Sequence, residues 1–402
     1  MFWRYWAAGA ISQVGTAVTA VALPLVAVTV LGASAFEVGL VAAASYAAWI
    51  LIGLPAGVIV RRLPLRGTQV AMDLIRAAAI GSIPLAWWLG ELTLVHLVAA
   101  ALVISLANVV FDVGNATFLP SIVAKDELTA RNSLISATHS TTHLGGPGLG
   151  GLLVQLLGAV PTLVIDAVSF LVSAALLRKL PSGNAPQPES APPMRTQIRD
   201  GLRFVLRHPV MRPCVLGATS INFVNGALMA LVPVFLVRDL GAAPAVVGLL
   251  VAFDGVGALI GATLATRLVN AMGSARAILA ASAFGAACCL LHPAGAGGWG
   301  MVLFALGAAG FSAGVVVFSI STRTHRQVAS PPDLLSRVMA TVRFVSWGAI
   351  PVGALAAGVV STVIDTRTTL WVFCALAFLA PVALWFSEVR RIRDLLDEPV
   401  VV

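Results

Sequence analysis

Apolar runs of about 20 residues recur along this chain, divided by short polar segments rich in arginine. Twelve can be drawn. In the first half they are Tyr5–Leu31, Phe36–Val60, Thr68–Leu89, Leu92–Phe118, Ser133–Leu157 and Val160–Leu177. In the second half they are Val210–Val237, Pro244–Val269, Ala275–Leu291, Gly298–Ile320, Val338–Ile364 and Thr368–Phe386. A run of this length crosses the roughly 30 Å hydrocarbon layer as a helix, whereas a membrane β-barrel would show alternating runs of about 10 residues. The pattern therefore predicts an all-α integral membrane protein with twelve transmembrane helices. The first run shows no convincing cleavage site and is too long for a signal peptide, so it reads as an uncleaved span.

Composition excludes the main alternative. Of the 402 residues, 59% are hydrophobic and 10% charged, and the mean hydropathy is +0.96. A soluble domain carries about 25% charged residues. The formal net charge of +8 does not point to nucleic acid, because the basic residues sit between the apolar runs. With the N-terminus inside, Arg238 and Arg367 fall in outer segments and Arg76 and Arg343 within spans. All other basic residues fall in cytoplasmic segments, which predicts both termini in the cytoplasm.

The chain divides at Pro181–Pro193, a stretch rich in Pro, Ser and Ala with the composition of disorder. Thr196–Arg207 follows as a basic amphipathic helix suited to the inner membrane surface. The expected organisation is a six-helix bundle over 1–180, a linker with its helix over 181–209, a second six-helix bundle over 210–389 and a tail over 390–402. The halves repeat: LPLVAVTVLGASAFEVGL from Leu23 lies over VPVFLVRDLGAAPAVVGL from Val232. Pro24 falls on Pro233, Gly32 on Gly241 and Gly39 on Gly248, as in transporters built from parallel repeats.

Ionisable residues inside spans cost about 2.5–3.5 kcal/mol each on insertion scales and are candidates for function. Asp254, near the middle of span eight, is either a proton or substrate carboxylate or one paired to an arginine. Asp112 lies inside the cytoplasmic end of span four. Asp73 and Arg76, at i and i+3 of span three, can pair structurally. Asp166 lies in the outer third of span six. Arg343, in span eleven, can snorkel, or balance Asp112 or an anionic substrate. His139 and His143 share a face of span five, for proton exchange, cavity lining or interhelical hydrogen bonds. A metal site there would need more ligands, and the spacing of Cys214, Cys288, Cys289 and Cys374 matches no metal motif.

Gly146, Gly148 and Gly151 match the letters of the dinucleotide fingerprint G-x-G-x-x-G. They lie inside a span with no strand before them, so the stretch is read as helix packing or as a bend made by Pro147. No nucleotide loop, metal cluster or grouped nucleophile and base points to a cofactor or an enzyme.

Several stretches resemble the major facilitator superfamily, and within it the bacterial macrolide-efflux and enterobactin-export group. They are Leu119-Pro120-Ser121-Ile122-Val123, Asp166-Ala167-Val168-Ser169-Phe170 and Arg337-Val338-Met339-Ala340-Thr341-Val342-Arg343-Phe344. Gly146 and Pro147 with Gly150 and Gly151 resemble the core of that superfamily's antiporter motif. Gly57, Arg62 and Arg66 fit its gating loop, although Arg61 stands at the acidic position. Its coupling arginine of helix four has no counterpart in span four. The resemblance implies two pseudo-symmetric bundles working by alternating access and export of drug-like amphipathic or hydrophobic molecules by proton antiport. The alternatives are a siderophore or lysophospholipid transporter of the same fold, or a non-transporting membrane sensor or enzyme. The implied setting is the bacterial inner membrane, with the protein a monomer whose partners are substrate, protons and lipid.

Overall fold

The computed structural model describes residues 1–53, 55–56, 60, 63–123, 127–181, 194–331 and 334–395. Gly57, Arg61 and Arg62 of the expected gating loop, and most of the linker, lie outside the described residues. No strand occurs among the described residues. The helices are α1 (Phe2–Leu25), α2 (Ala35–Leu51), α3 (Leu65–Trp88), α4 (Leu94–Ile122), α5 (Leu128–Leu157), α6 (Ala159–Arg178), α7 (Met194–Arg207) and α8 (Met211–Val234). They continue as α9 (Pro244–Met272), α10 (Ser274–Cys289), α11 (Leu291–Ala294), α12 (Met301–Ala329), α13 (Leu335–Val360), α14 (Thr366–Leu376) and α15 (Leu379–Trp385).

Ten helices among the described residues are long and apolar enough to span a membrane. The second and fifth expected spans are occupied by α2 and α5. At 17 residues α2 is short, and the expected span runs on to Val60 through residues that are not all described. At 30 residues α5 is long enough to cross, but the run Thr138–His143 lowers its apolarity.

The repeat seen in the sequence reappears in backbone detail. Pro24 lacks an N–H, and a proline ring crowds the carbonyl one turn back, so α1 cannot close normally. The chain widens into an i→i+5 turn over Val26–Val30, with the Leu31 N–H donating to Val26 O at 3.2 Å. Gly32, at φ 65°, then lets Ala33 N–H reach Ala27 O at 2.8 Å. Pro233, the wide turn Phe235–Asp239, Gly241 at φ 63° and the Ala242 N–H to Leu236 O bond of 2.8 Å repeat each step. Ser34 then starts α2 with a capping box, its N–H donating to Glu37 Oε2 at 2.7 Å.

The chain forms two compact units. The first comprises 1–191 with 236–238 and 242–252; the second comprises 192–235, 239–241 and 253–402. Close backbone approach characterises the packing inside the second. A Cβ on Gly226 of α8 would run into Ile350 of α13, and one on Gly353 of α13 into Phe223 of α8. Only a residue without a side chain fits such a crossing.

The second unit also includes α7. Asp200 and Arg337 form an ion pair of 3.2 Å, and a Cβ on Gly201 would stand 2.8 Å from Arg337 O. Val205 is buried with Met211, Val215, Val338 and Val342, while Leu202 and Leu206 stay exposed. At the corner between α7 and α8, His208 Nδ1 accepts from the N–H groups of Val210 and Met211, each at 3.3 Å. Burial there pushes the His208 imidazole below its ordinary 6.5.

Candidate functional site

The first unit holds a network of charged and polar side chains contributed by α1, α3, α4 and α6. Asp73 and Arg76 of α3 form an ion pair, with Asp73 0% and Arg76 5% exposed. The i, i+3 spacing on one helix brings them together, as the sequence predicts. Arg76 also donates from Nη1 to Asn108 Oδ1 of α4 at 3.0 Å. Its guanidinium is held between two rings, 4.0 Å from the centroid of Phe111 and 4.4 Å from that of Phe170. An apolar clamp of this kind strengthens a cation's attachment because little water competes for it.

Asp166 of α6 is 1% exposed and accepts from Thr19 Oγ1 at 2.6 Å and from Ser169 Oγ at 3.0 Å. A Cβ on Gly15 of α1 would collide with Asp166 and Ser169, so that glycine is what admits the carboxylate to the crossing of α1 and α6. Asp73 pairs directly with Arg76, and Asp166 lies one turn before Phe170, whose ring covers the same guanidinium. Spacing alone did not show this convergence; Asn108, Phe111, Phe170 and Thr19 carry no motif.

The remaining expected residues are distributed as follows. Asp112 is exposed on α4. His139 and His143 do share a face of α5, with ring centroids 6.2 Å apart and nearly parallel, and both are exposed. One residue before His139, Thr138 Oγ1 accepts from Trp6 Nε1 at 2.9 Å, tying this part of α5 to α1. Arg343 is exposed on α13 with its guanidinium 4.4 Å from the Trp347 ring centroid. Arg66 donates from Nη1 to Leu180 O at 2.9 Å, joining the start of α3 to the chain just past α6.

Asp254 lies half-buried in α9 of the second unit. Its backbone carbonyl accepts from Ser312 Oγ of α12 at 2.7 Å. Its carboxylate has no ion-pair partner among the described residues. Of the two sequence readings, permanent pairing to an arginine finds no arginine among the described residues.

The glycines of α5 are packing surfaces, and α5 runs through Pro147 without a break. A Cβ on Gly146 would collide with Ala17 of α1, and one on Gly150 would stand 3.1 Å from Val18 Cα. A Cβ on Gly151 would stand 2.6 Å from Gly248 Cα, in the part of α9 that belongs to the first unit.

One constellation escaped the sequence. Cys289, His292 and Cys374 present their sulfurs and a ring nitrogen within 4.8 Å of one another, all buried in the second unit. The expectation of no metal-ligand grouping rested on spacing, and Cys374 reaches the other two only through the docking of α14 beside α10 and α11.

A sequence model of the transmembrane secretion effector family matches residues 1–399. The MFS-type transporter y4rN of Sinorhizobium fredii is 31% identical over 299 residues, covering 73% of this chain and 72% of that protein. The multidrug efflux pump Tap of Mycolicibacterium fortuitum is 27% identical over 206 residues, covering 49% of this chain and 50% of Tap. Among solved structures, the nucleoside transporter NupG superimposes with a TM-score of 0.79 at 12% identity, over 96% of this chain and 98% of NupG. A bacterial homologue of the iron transporter ferroportin, in its inward-facing state, gives 0.74 at 18% identity over 96% and 97%. At such identities the superpositions show the fold alone.

Proposed function

Because the chain belongs to the major facilitator transporters, in the family of transmembrane secretion effectors, we propose that it exports amphipathic or hydrophobic small molecules by exchanging them for protons. The protein is a membrane transporter with the twelve-helix major facilitator fold, not an enzyme. The partial likeness to the Tap multidrug efflux pump supports export and drug-like cargo. The placement of arginines supports a bacterial inner-membrane setting with both termini in the cytoplasm. A monomer moving its substrate by alternating access is the form this reading takes.

The observation that carries proton exchange is Asp254, a half-buried carboxylate inside a span with no ion-pair partner among the described residues. A bare charge there is costly, so its protonation state can be set by what else occupies the site. The network around Arg76 supplies a second element. Span four lacks the arginine that the resemblance associates with coupling, and Arg76 of α3 reaches Asn108 and Phe111 of α4 instead. Asp166, buried in the same unit and held by Thr19 and Ser169, is a further carboxylate that can take a proton. His139 and His143 on α5 are further proton-exchanging groups, and Arg343 over Trp347 offers a cation for an acidic substrate.

Inverted membrane vesicles from a host without its own efflux pumps test the reading. Energising them is expected to drive uptake of amphipathic dyes, with proton release from the lumen, and a protonophore is expected to stop both. Uptake that survives collapse of the proton gradient sinks antiport; uptake only in right-side-out vesicles sinks export.

A further inference from the structure

We propose that Cys289, His292 and Cys374 form a binding site for a soft d10 metal ion, zinc(II) or copper(I). Cys289 ends α10, His292 stands one turn on in α11, and Cys374 comes from α14. Cys289 and Cys374 are 0% exposed and His292 3%. The three donor atoms lie within 4.8 Å of one another. Zinc–sulfur bonds are about 2.3 Å and zinc–nitrogen bonds about 2.0–2.1 Å, so donors around one tetrahedral ion stand about 3.4–3.8 Å apart. Binding would draw the three side chains together by rotation about their χ angles.

A second feature prepares the imidazole. His292 Nδ1 lies 3.0 Å from Cys289 O, and a carbonyl only accepts, so Nδ1 carries the hydrogen. The neutral ring then keeps its lone pair on Nε2, the tautomer that backbone carbonyls commonly set for metal-ligating histidines. The Phe304 and Phe311 rings stand edge-on to His292 at 4.8 and 6.4 Å, giving the site a dry wall. Two thiols and an imidazole are soft donors, which select zinc and copper(I) over magnesium or calcium. Binding replaces the two thiol protons, released to water, with the ion. Two thiolates neutralise zinc(II), while three donors already satisfy copper(I). The ion would staple α14 to the α10–α11 corner.

The test uses full-length protein in detergent with a non-thiol reductant. Separate samples are incubated with zinc(II) or with copper(I), desalted, and analysed for metal per chain by mass spectrometry. Wild type and Cys288→Ser are expected to retain stoichiometric metal in one arm, which names the ion, and the Cys289→Ser/Cys374→Ser double variant is expected to lose it. Equal retention by the double variant, or none by reduced wild type in either arm, overturns the proposal. If the double variant aggregates, cobalt(II) titration of wild type reads sulfur ligation through thiolate-to-cobalt charge-transfer bands, and a spectrum without them overturns it. So does a Cys289–Cys374 disulfide found after alkylation of protein extracted directly from membranes.

Discussion

Asp73 and Arg76, one turn apart on α3, form an ion pair that water does not reach. Removing one partner of a buried pair leaves an uncompensated charge and costs about 3–5 kcal/mol, while replacing both by apolar residues of similar volume is often neutral or better. Asp73→Leu alone and Arg76→Met alone are thus expected to lower the melting temperature sharply in detergent. The double variant is expected to recover most of the loss, less what Arg76 gains from Asn108, Phe111 and Phe170. Tryptophan fluorescence during heating measures this. A double variant that melts below both single variants would contradict the pairing.

Neighbouring glycines of α5 should respond in opposite senses. A Cβ on Gly145 meets nothing within 4 Å, whereas one on Gly151 would stand 2.6 Å from Gly248 Cα and 2.8 Å from its nitrogen. Gly145→Ala removes unfolded-chain entropy and should stabilise by about 0.5–1 kcal/mol. Gly151→Ala forces backbone apart and should cost about 1–3 kcal/mol. The same melting assay separates them, and equal shifts would refute the assignment of Gly151 to a helix crossing.

What the sequence revealed follows from how local each cause is. Most spans could be drawn because an apolar run answers to the bilayer, not to neighbours. The alignment of Pro24 and Gly32 with Pro233 and Gly241 was legible as a repeat, but the wide turns that follow each proline were not read from it. The Asp73–Arg76 pair was legible because both sit on one helix. The clamp of Arg76 by Phe111 and Phe170 was not, nor was the meeting of Cys374 with Cys289 and His292. Those depend on which way each helix is turned, and helices that are apolar nearly all round give little sign of it. The glycines around Pro147 marked α5 as unusual, but not that they would serve two crossings.

Asp254 separates coupling from folding. Asp254→Asn keeps the shape and removes the titrating group, so the protein should melt and elute from gel filtration as wild type does. Export in inverted vesicles should lose its dependence on the pH gradient, and Asp254→Glu should keep part of it. Coupling unchanged in Asp254→Asn would remove Asp254 from the mechanism.

The His208 corner should give the protein an acid-sensitive stability. Its Nδ1 accepts from Val210 and Met211 N–H groups, so that nitrogen must be free of a proton, and burial favours the neutral ring. His325 of α12 faces it edge-on at 5.4 Å and Phe204 stands at 5.7 Å. The folded imidazole therefore titrates below the ordinary value of 6.5. Between the folded and unfolded values the unfolded chain binds more protons, so stability is full above about 6.5 and declines as pH falls below it. A proton on Nδ1 also deletes the two caps that start α8. His208→Asn keeps a side-chain acceptor at the helix start and cannot titrate. Melting temperatures of wild type should fall between about pH 7 and about pH 5, and His208→Asn should flatten that part of the decline. A wild-type slope retained in full by the variant would place the acid sensitivity elsewhere.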